Sequence, residues 1–330
     1  IRMKMKYIYS IVIIFISVST IKAQQLPQIS QYLRNQYMIN PGAAGVYDFT
    51  DVTLGGRLQW AGLADAPKTT YLAASAPLST FTARSRSRYN PGLRNSSGVA
   101  KNPEIKTGKL KHAVGLQAIG DQFGAFRKIN VSGTYAIHIP VMSNYNLSFG
   151  TNIGIVSNSF LQDRAVVADI TSDNTYSSFV SNNGNVNNLN VGAGLYFYSN
   201  NLFFGVAADQ LTQDLVTFGS GSANFDSRMH FNVTGGYKFH IGEDYSITPA
   251  FLAKYVLPVN PTIEGSLQFE YKEWMWAAVS YRHKDAIVGM VGMNLSNRFK
   301  IGYSFDYTIS DIKYYASSGH EVILGIMLGR

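Results

Sequence analysis

The 330-residue chain contains no cysteine, and that absence removes disulfide frameworks, thiolate metal sites and a lipid-modified cysteine from consideration. Charge is scarce as well: Asp, Glu, Lys and Arg together make only 15% of the residues. Beyond the first two dozen residues no apolar run is long enough to cross a membrane as a helix. There are six histidines, spread over different segments. His283 and Asp285 flank Lys284, and His320-Glu321 has Leu324 where a zinc-protease helix needs a second histidine, so no nucleophile, base and acid converge in the sequence. Gly192-Ala193-Gly194 and the Gly289/Gly292 pair are not followed by helical patterns, which argues against a phosphate cradle. The chain is expected not to be an enzyme and to need no cofactor or metal.

What is abundant points elsewhere. The chain carries 21 tyrosines, 19 phenylalanines and 30 glycines, a mixture that favours strands over helices. At the start, Arg2, Lys4 and Lys6 precede an apolar stretch from Tyr7 to Ile21, and Lys22-Ala23 precedes Gln24, the layout of a cleaved secretory signal. Translation is expected to begin at Met3 or Met5. The formal net charge is +8, but four bases and no acid lie in this leader, which leaves about +4 for residues 24–330. That balance offers no basic stripe for nucleic acid.

Alternation with period two runs through most of the remainder. Phe299, Ile301, Tyr303, Phe305 and Tyr307 interleave with Lys300, Gly302, Ser304, Asp306 and Thr308. Tyr145, Leu147, Phe149, Ile153 and Ile155 interleave with Asn146, Ser148, Gly150, Asn152 and Gly154. Successive side chains on a strand face opposite ways, so each such segment has one apolar and one polar or small face. Soluble sandwiches alternate too. However, these segments run to about 11 to 16 residues, whereas soluble strands average about 5–6 and tilted membrane strands about 9–11. Trp60, Tyr145, Tyr271 and Trp274 sit at the ends of apolar faces, as in an interfacial girdle, and a last strand over Val322–Leu328 closes the chain.

The reading is therefore all-β: an outer-membrane barrel of about fourteen antiparallel strands. They are placed at 50–60, 67–78, 109–120, 126–141, 143–157, 187–198, 200–211, 228–241, 244–257, 261–271, 274–282, 286–295, 298–309 and 319–329. Residues 1–23 form the signal peptide, 24–49 an N-terminal periplasmic or plug segment, and 50–330 the barrel. Tight turns alternate with the longer connections 158–186, 212–227 and 310–318, which places the short ones, and both termini, in the periplasm. One long connection breaks that rule. Residues 79–108 fall on the periplasmic side and carry Arg84, Arg86, Arg88, Arg94, Lys101 and Lys106, either as a solvated loop or as a basic contact for a periplasmic partner or acidic headgroups.

Two further sets follow from the same parity. Arg57, His138, His230, Lys238, Glu264, Lys300 and Asp306 fall on the lumen faces, with Asp51, His240, Lys254 and Glu270. They could line a pore or pair with one another and with residues 24–49, whose amide-rich run from Gln28 to Gln36 suits a polar interior. In the long loops Tyr176, Phe179 and Phe218 are either anchors for a partner or aromatics packed on the rim.

Several motifs, in order, resemble one family. Gln28-Ile29-Ser30-Gln31-Tyr32 with Asn40-Pro41 and Ala44-Gly45, then Arg57-Leu58-Gln59-Trp60, Ala66-Pro67-Lys68-Thr69 and Gly120-Asp121, are similar to the PorP/SprF family of type IX secretion and gliding systems in Bacteroidetes. Tyr135-Ala136-Ile137-His138-Ile139-Pro140, Lys254-Tyr255, Tyr281-Arg282, Gly302–Tyr307 and Gly319-His320-Glu321 continue the likeness to about Leu328. Gln36, where the family usually has proline, and Gly42-Ala43, in place of an Ala-Tyr pair, depart from it. The resemblance implies an integral outer-membrane protein, surrounded by outer-membrane lipid, that helps export and anchor a large surface adhesin or another substrate carrying a type IX C-terminal domain. It also implies periplasmic or peptidoglycan-linked components of the machinery as partners. The competing reading from the barrel alone is a diffusion channel or hydrophobic-solute transporter.

Overall fold

The computed structural model describes residues 27–79, 105, 107–165, 185–213, 215–218, 227–256, 259–316 and 318–329. The expected signal peptide, the basic side chains from Arg84 to Lys106, and Tyr176 and Phe179 lie outside the described residues.

Sixteen strand segments build one antiparallel sheet: β1 Thr50–Ala61, β2 Lys68–Pro77, β3 Lys111–Phe123, β4 Phe126–Met142, β5 Tyr145–Phe160, β6 Asn185–Tyr198, β7 Leu202–Asp209, β8 Thr217–Phe218, β9 His230–Tyr237, β10 Phe239–Ile241, β11 Tyr245–Val256, β12 Thr262–Tyr271, β13 Met275–Arg282, β14 Ala286–Asn294, β15 Phe299–Thr308 and β16 Ser318–Leu328. β9 and β10 are one wall strand interrupted at Lys238, whose N–H turns to the carbonyl of Asn201 (2.7 Å). β8 is a two-residue piece beside β6. The wall thus has fourteen strands, each paired with its chain neighbours, and it closes where Thr50 to Leu58 of β1 run against Leu328 to His320 of β16. Closure leaves no edge in lipid, where an unpaired backbone group costs several kcal/mol, about the worth of many ordinary contacts.

The register fixes which face each residue takes. Outward positions are large and apolar: Ile153 is 60% and Val291 55% exposed, with Leu54, Val131, Phe149, Leu267, Val279 and Leu324 on the same surface. The alternate positions, among them Thr53, Ser132, Ser148, Asn190, Ser280 and Ser304, are almost wholly buried. A polar inside and an apolar outside invert the soluble arrangement and mark the outside as the lipid face. Aromatic pairs flank that face at both rims: Tyr145 stacks on Phe197 and Tyr245 meets Tyr271 at one, Trp60 meets Phe123 and Phe126 meets Phe160 at the other.

The fourteen predicted strands are all present, their ends shifted by up to three residues. The wall is uneven in height. β4 and β5 span 17 and 16 residues, whereas β7 and β13 have eight. β7 pairs with β6 only from Ala193 to Tyr198, so the upper half of β6 would be an open edge. The chain returns over it: the N–H of Leu211 donates to the Val191 carbonyl (2.9 Å), the N–H of Leu189 donates to the Val216 carbonyl (3.0 Å), and β8 pairs with Asn187 and Asn188.

Candidate functional site: the occupied lumen

Residues 27–49 run inside the cylinder through three single-turn 3-10 helices, Tyr32–Arg34, Gln36–Met38 and Pro41–Ala43, before joining β1. Pro27 and Gln28 lie beside Val259, Asn260 and Thr262, at the rim opposite the paired chain ends Thr50 and Leu328. Irregular backbone at membrane depth must find partners in protein. The wall supplies them from inward side chains of successive strands. Gln117 Nε2 donates to the Tyr37 carbonyl (2.6 Å), Asn232 Nδ2 to Ile39 (3.0 Å), His138 Nε2 to Ala44 (2.9 Å) and Lys111 Nζ to Val46 (2.8 Å). Since a carbonyl only accepts, His138 must carry its proton on Nε2; its Nδ1 then accepts from the Tyr198 hydroxyl (2.9 Å). Both nitrogens are thereby committed to structure.

The densest polar cluster surrounds Ser30. Its N–H and that of Gln31 donate to the two oxygens of Glu321 (2.8 and 3.2 Å), which also accepts from the Tyr71 hydroxyl (3.1 Å). The Ser30 hydroxyl donates to Asp306 (3.0 Å) and accepts from Arg57 Nη1 (2.7 Å) and Arg282 Nη2 (3.3 Å). Arg57 Nη2 pairs with Asp306 at 2.8 Å, and Arg282 reaches Glu264 at 2.9 Å, Asp285 at 3.1 Å and Asp306 at 3.2 Å. Two of these contacts follow from register alone, because Arg57 faces Glu321 across β1/β16 and Glu264 faces Arg282 across β12/β13. Apart from Asp285, these guanidinium and carboxylate side chains are 4% exposed or less, and for them pairing is obligatory.

Nearer the rim of the chain ends, Arg34 and Lys238 both hold Glu270 at 2.6 Å, Arg34 lies 5.2 Å over the Trp276 ring, and Lys300 pairs with Asp51 at 2.8 Å. These residues border a cavity of about 370 Å3 that opens at that rim. Ile105 also reaches this region and packs with Ala43, Val46, Tyr196 and Tyr198. Tyr32 and Tyr37 hydrogen-bond Ser266 (3.1 Å) and Thr134 (2.8 Å), and burial pushes both phenols well above their ordinary value, so they remain neutral.

Glycines set how close the inner segment can come. A Cβ at Gly150 would collide with the backbone carbonyl of Pro41, and one at Gly194 with the Asn40 amide. With those positions bare, Asn40 Nδ2 donates to the Leu195 carbonyl (2.9 Å) while its Oδ1 caps the N–H of Gly42 (2.8 Å).

Arg57, His138, His230, Glu264, Lys300 and Asp306 are buried, and Lys238 and His240 line the cavity at the rim of the chain ends. Arg57, Glu264 and Asp306 come together around Ser30; Lys238 and Lys300 belong to the ion pairs at the rim of the chain ends; His138 and His230 stand apart, on β4 and β9. Arg282, Glu321, Tyr71 and Ser30 itself were not among the expected site residues, although Glu321 and Arg282 fall on polar faces that parity identifies. Phe218 is described: it lies in β8 over the β6 edge and is 49% exposed. His283, Lys284 and Asp285 form a turn in which Asp285 is taken by Arg282. No group of three His, Asp or Glu side chains suited to a metal occurs among the described residues.

A closed antiparallel cylinder, apolar without and polar within, is an outer-membrane β-barrel. Solved structures share the fold. The Ralstonia pickettii toluene transporter TbuX superposes with a TM-score of 0.51 at 10% identity, over 88% of this chain and 92% of that one. The monoaromatic hydrocarbon channel CymD gives 0.46 at 11% identity over 88% and 90%, and the Pseudomonas putida toluene transporter TodX 0.44 at 11% over 89% and 92%. A comparison with curated proteins finds no match. The family model described as type IX secretion system membrane protein PorP/SprF matches residues 21–326, and the chain belongs to that family. It is thus a barrel of the outer membrane associated with type IX secretion and its machinery, and both its fold and its family are those of secretion or channel proteins rather than enzymes.

Proposed function

We propose that this barrel is a non-enzymatic partner of the type IX machinery that helps export and anchor a large surface adhesin or another substrate with a type IX C-terminal domain. The supporting observation is the lumen: residues 27–49 are hydrogen-bonded and ion-paired to inward side chains of strands round the wall, which is what a plug would need. A polypeptide would then pass elsewhere and be held at the rim. In this reading the loops between 158 and 186 and between 212 and 227, with Tyr176, Phe179 and Phe218, meet the substrate outside. The basic residues Arg84, Arg86, Arg88, Arg94, Lys101 and Lys106 meet periplasmic or peptidoglycan-linked components. Deleting the gene and probing the cell surface tests it: display of adhesin should fall, and unchanged display of every type IX substrate rules the role out.

The second reading is a diffusion channel or hydrophobic-solute transporter. It is favoured by the fold shared with a toluene transporter and by the 370 Å3 cavity at one rim. Planar-bilayer recording separates the two, since a large steady conductance fits the channel and a silent barrel fits the plugged partner.

A further inference from the structure

At the rim opposite the chain ends, the inner segment and the wall enclose a second, smaller cavity of about 60 Å3. Its floor is apolar, formed by Ile29, Met38 and Ile39, with Ile119, Val256 and Val259 on the wall. Into this surface project two nitrogen-bearing side chains from adjacent strands. His230 begins β9 and is only 5% exposed, yet its ring makes no hydrogen bond among the described residues. Lys254 of β11 faces Asn232 in the register, one inward position along from His230. Its ammonium has three N–H groups and a single long hydrogen bond, to Gln28 Oε1 at 3.4 Å.

A buried imidazole and a half-buried ammonium with few acceptors are costly to maintain, since a polar group withdrawn from water needs a replacement partner. The carboxylate on the strand next to Lys254, Glu264, gives one oxygen to Arg282 and makes no hydrogen bond to the ammonium. One acid does line the cavity: Asp209, which faces His230 across β7/β9 and has Oδ1 without a partner. The ammonium of Lys128 lies within electrostatic range of both Asp209 and His230, so Asp209 already has a cation beside it. Lys254 and His230 thus bring unused N–H donors to an apolar pocket.

We propose that this cavity binds a short-chain monocarboxylate, with its carboxylate on Lys254 Nζ and the His230 ring and its hydrocarbon tail on Ile29, Met38 and Ile39. The size sets the class. At about 10–15 Å3 per water-sized group, 60 Å3 holds roughly four to six such groups, a carboxylate and a chain of a few carbons. An aliphatic tail gains with each CH2 it takes out of water, so the head fixes orientation and the tail adds affinity. The site stands apart from the secretion role and would survive its failure.

The probe is butyrate, titrated into the full-length barrel in detergent. Saturable binding is expected, with a butyrate-dependent shift of the His230 imidazole resonance in the histidine-labelled wild-type protein. Lys254→Gln should weaken binding at least tenfold, and His230→Phe several-fold, while both variants keep the heat-modifiable electrophoretic shift of a folded barrel. Butyramide should bind far more weakly than butyrate. The proposal is overturned if butyrate shows no saturable binding, if butyramide binds as well, or if butylammonium binds in preference, which would make Asp209 the recognising group. The wild-type resonance shift decides the matter even if a variant fails to fold.

Discussion

Arg282 shows how much of this molecule depends on single buried charges. Its guanidinium touches Glu264, Asp285 and Asp306, and the first and last of these have no water to fall back on. Replacing it with methionine keeps much of the volume but strands the Glu264 carboxylate, while Asp306 keeps Arg57; breaking a buried pair in this way typically costs about 3–5 kcal/mol. Arg282→Met is therefore expected to lower the unfolding free energy measured in guanidinium chloride by about 3–5 kcal/mol, and a loss below about 1 kcal/mol would refute the obligatory pairing. Glu321→Gln is a gentler probe of the same cluster. The carboxylate accepts from the Ser30 and Gln31 N–H groups, from Tyr71 and from Arg57 (3.5 Å). An amide has one acceptor oxygen and brings donors of its own toward donors, at about 1–3 kcal/mol. Because the loss falls on the inner segment rather than the wall, the expected result is faster protease cleavage between 27 and 34 in a barrel of nearly unchanged stability. Arg57, Glu264 and Asp306 were legible as inward residues from alternation. Their common target was not: parity reports which face a side chain takes but not its depth, and nothing in a serine distinguishes Ser30 from the many serines of the loops.

At the scale of elements, the strands were legible and the inner segment only partly so. Long alternating runs such as Phe299–Thr308 carry their own assignment, because a one-residue slip would turn every apolar side chain into the lumen. The run from Gln28 to Gln36 announced a polar surrounding, whereas its path depended on glycines whose role is invisible without the third dimension. Gly150 and Gly194 read in sequence as ordinary small residues of a polar face; in the structure they are where Pro41 and Asn40 touch the wall. Gly150→Val should displace Asn40–Gly42, since the obstructing atoms are backbone and cannot rotate away. The barrel is expected to fold with an intact heat-modifiable shift, to expose residues 35–45 to protease and, if the segment is what blocks the lumen, to conduct in planar bilayers. Gly289→Val serves as the control, because a Cβ there meets nothing within 4 Å. Equal protease sensitivity of the two variants would show that the segment is not held by this contact.

For the whole molecule the open question is which rim faces the periplasm, and the absence of cysteine makes it answerable with single thiols. One rim carries the short turns at Ser143-Asn144, Lys272-Glu273 and Ser296-Asn297 together with the ends Thr50 and Leu328; the other carries the connections after β5, β7 and β15. Barrels of this kind place short turns inside and long loops outside. The 33 residues between β2 and β3 oppose that rule, as they leave from the short-turn rim, and they carry the basic residues from Arg84 to Lys106. Lys284→Cys, in an exposed turn of the long-loop rim, is expected to react with a membrane-impermeant maleimide on intact cells, and Asn144→Cys only after the outer membrane is permeabilised. The reverse pattern would place the basic connection on the cell surface and the cavity beside His230 and Lys254 on the periplasmic side, and the partners assigned to each rim would have to be exchanged.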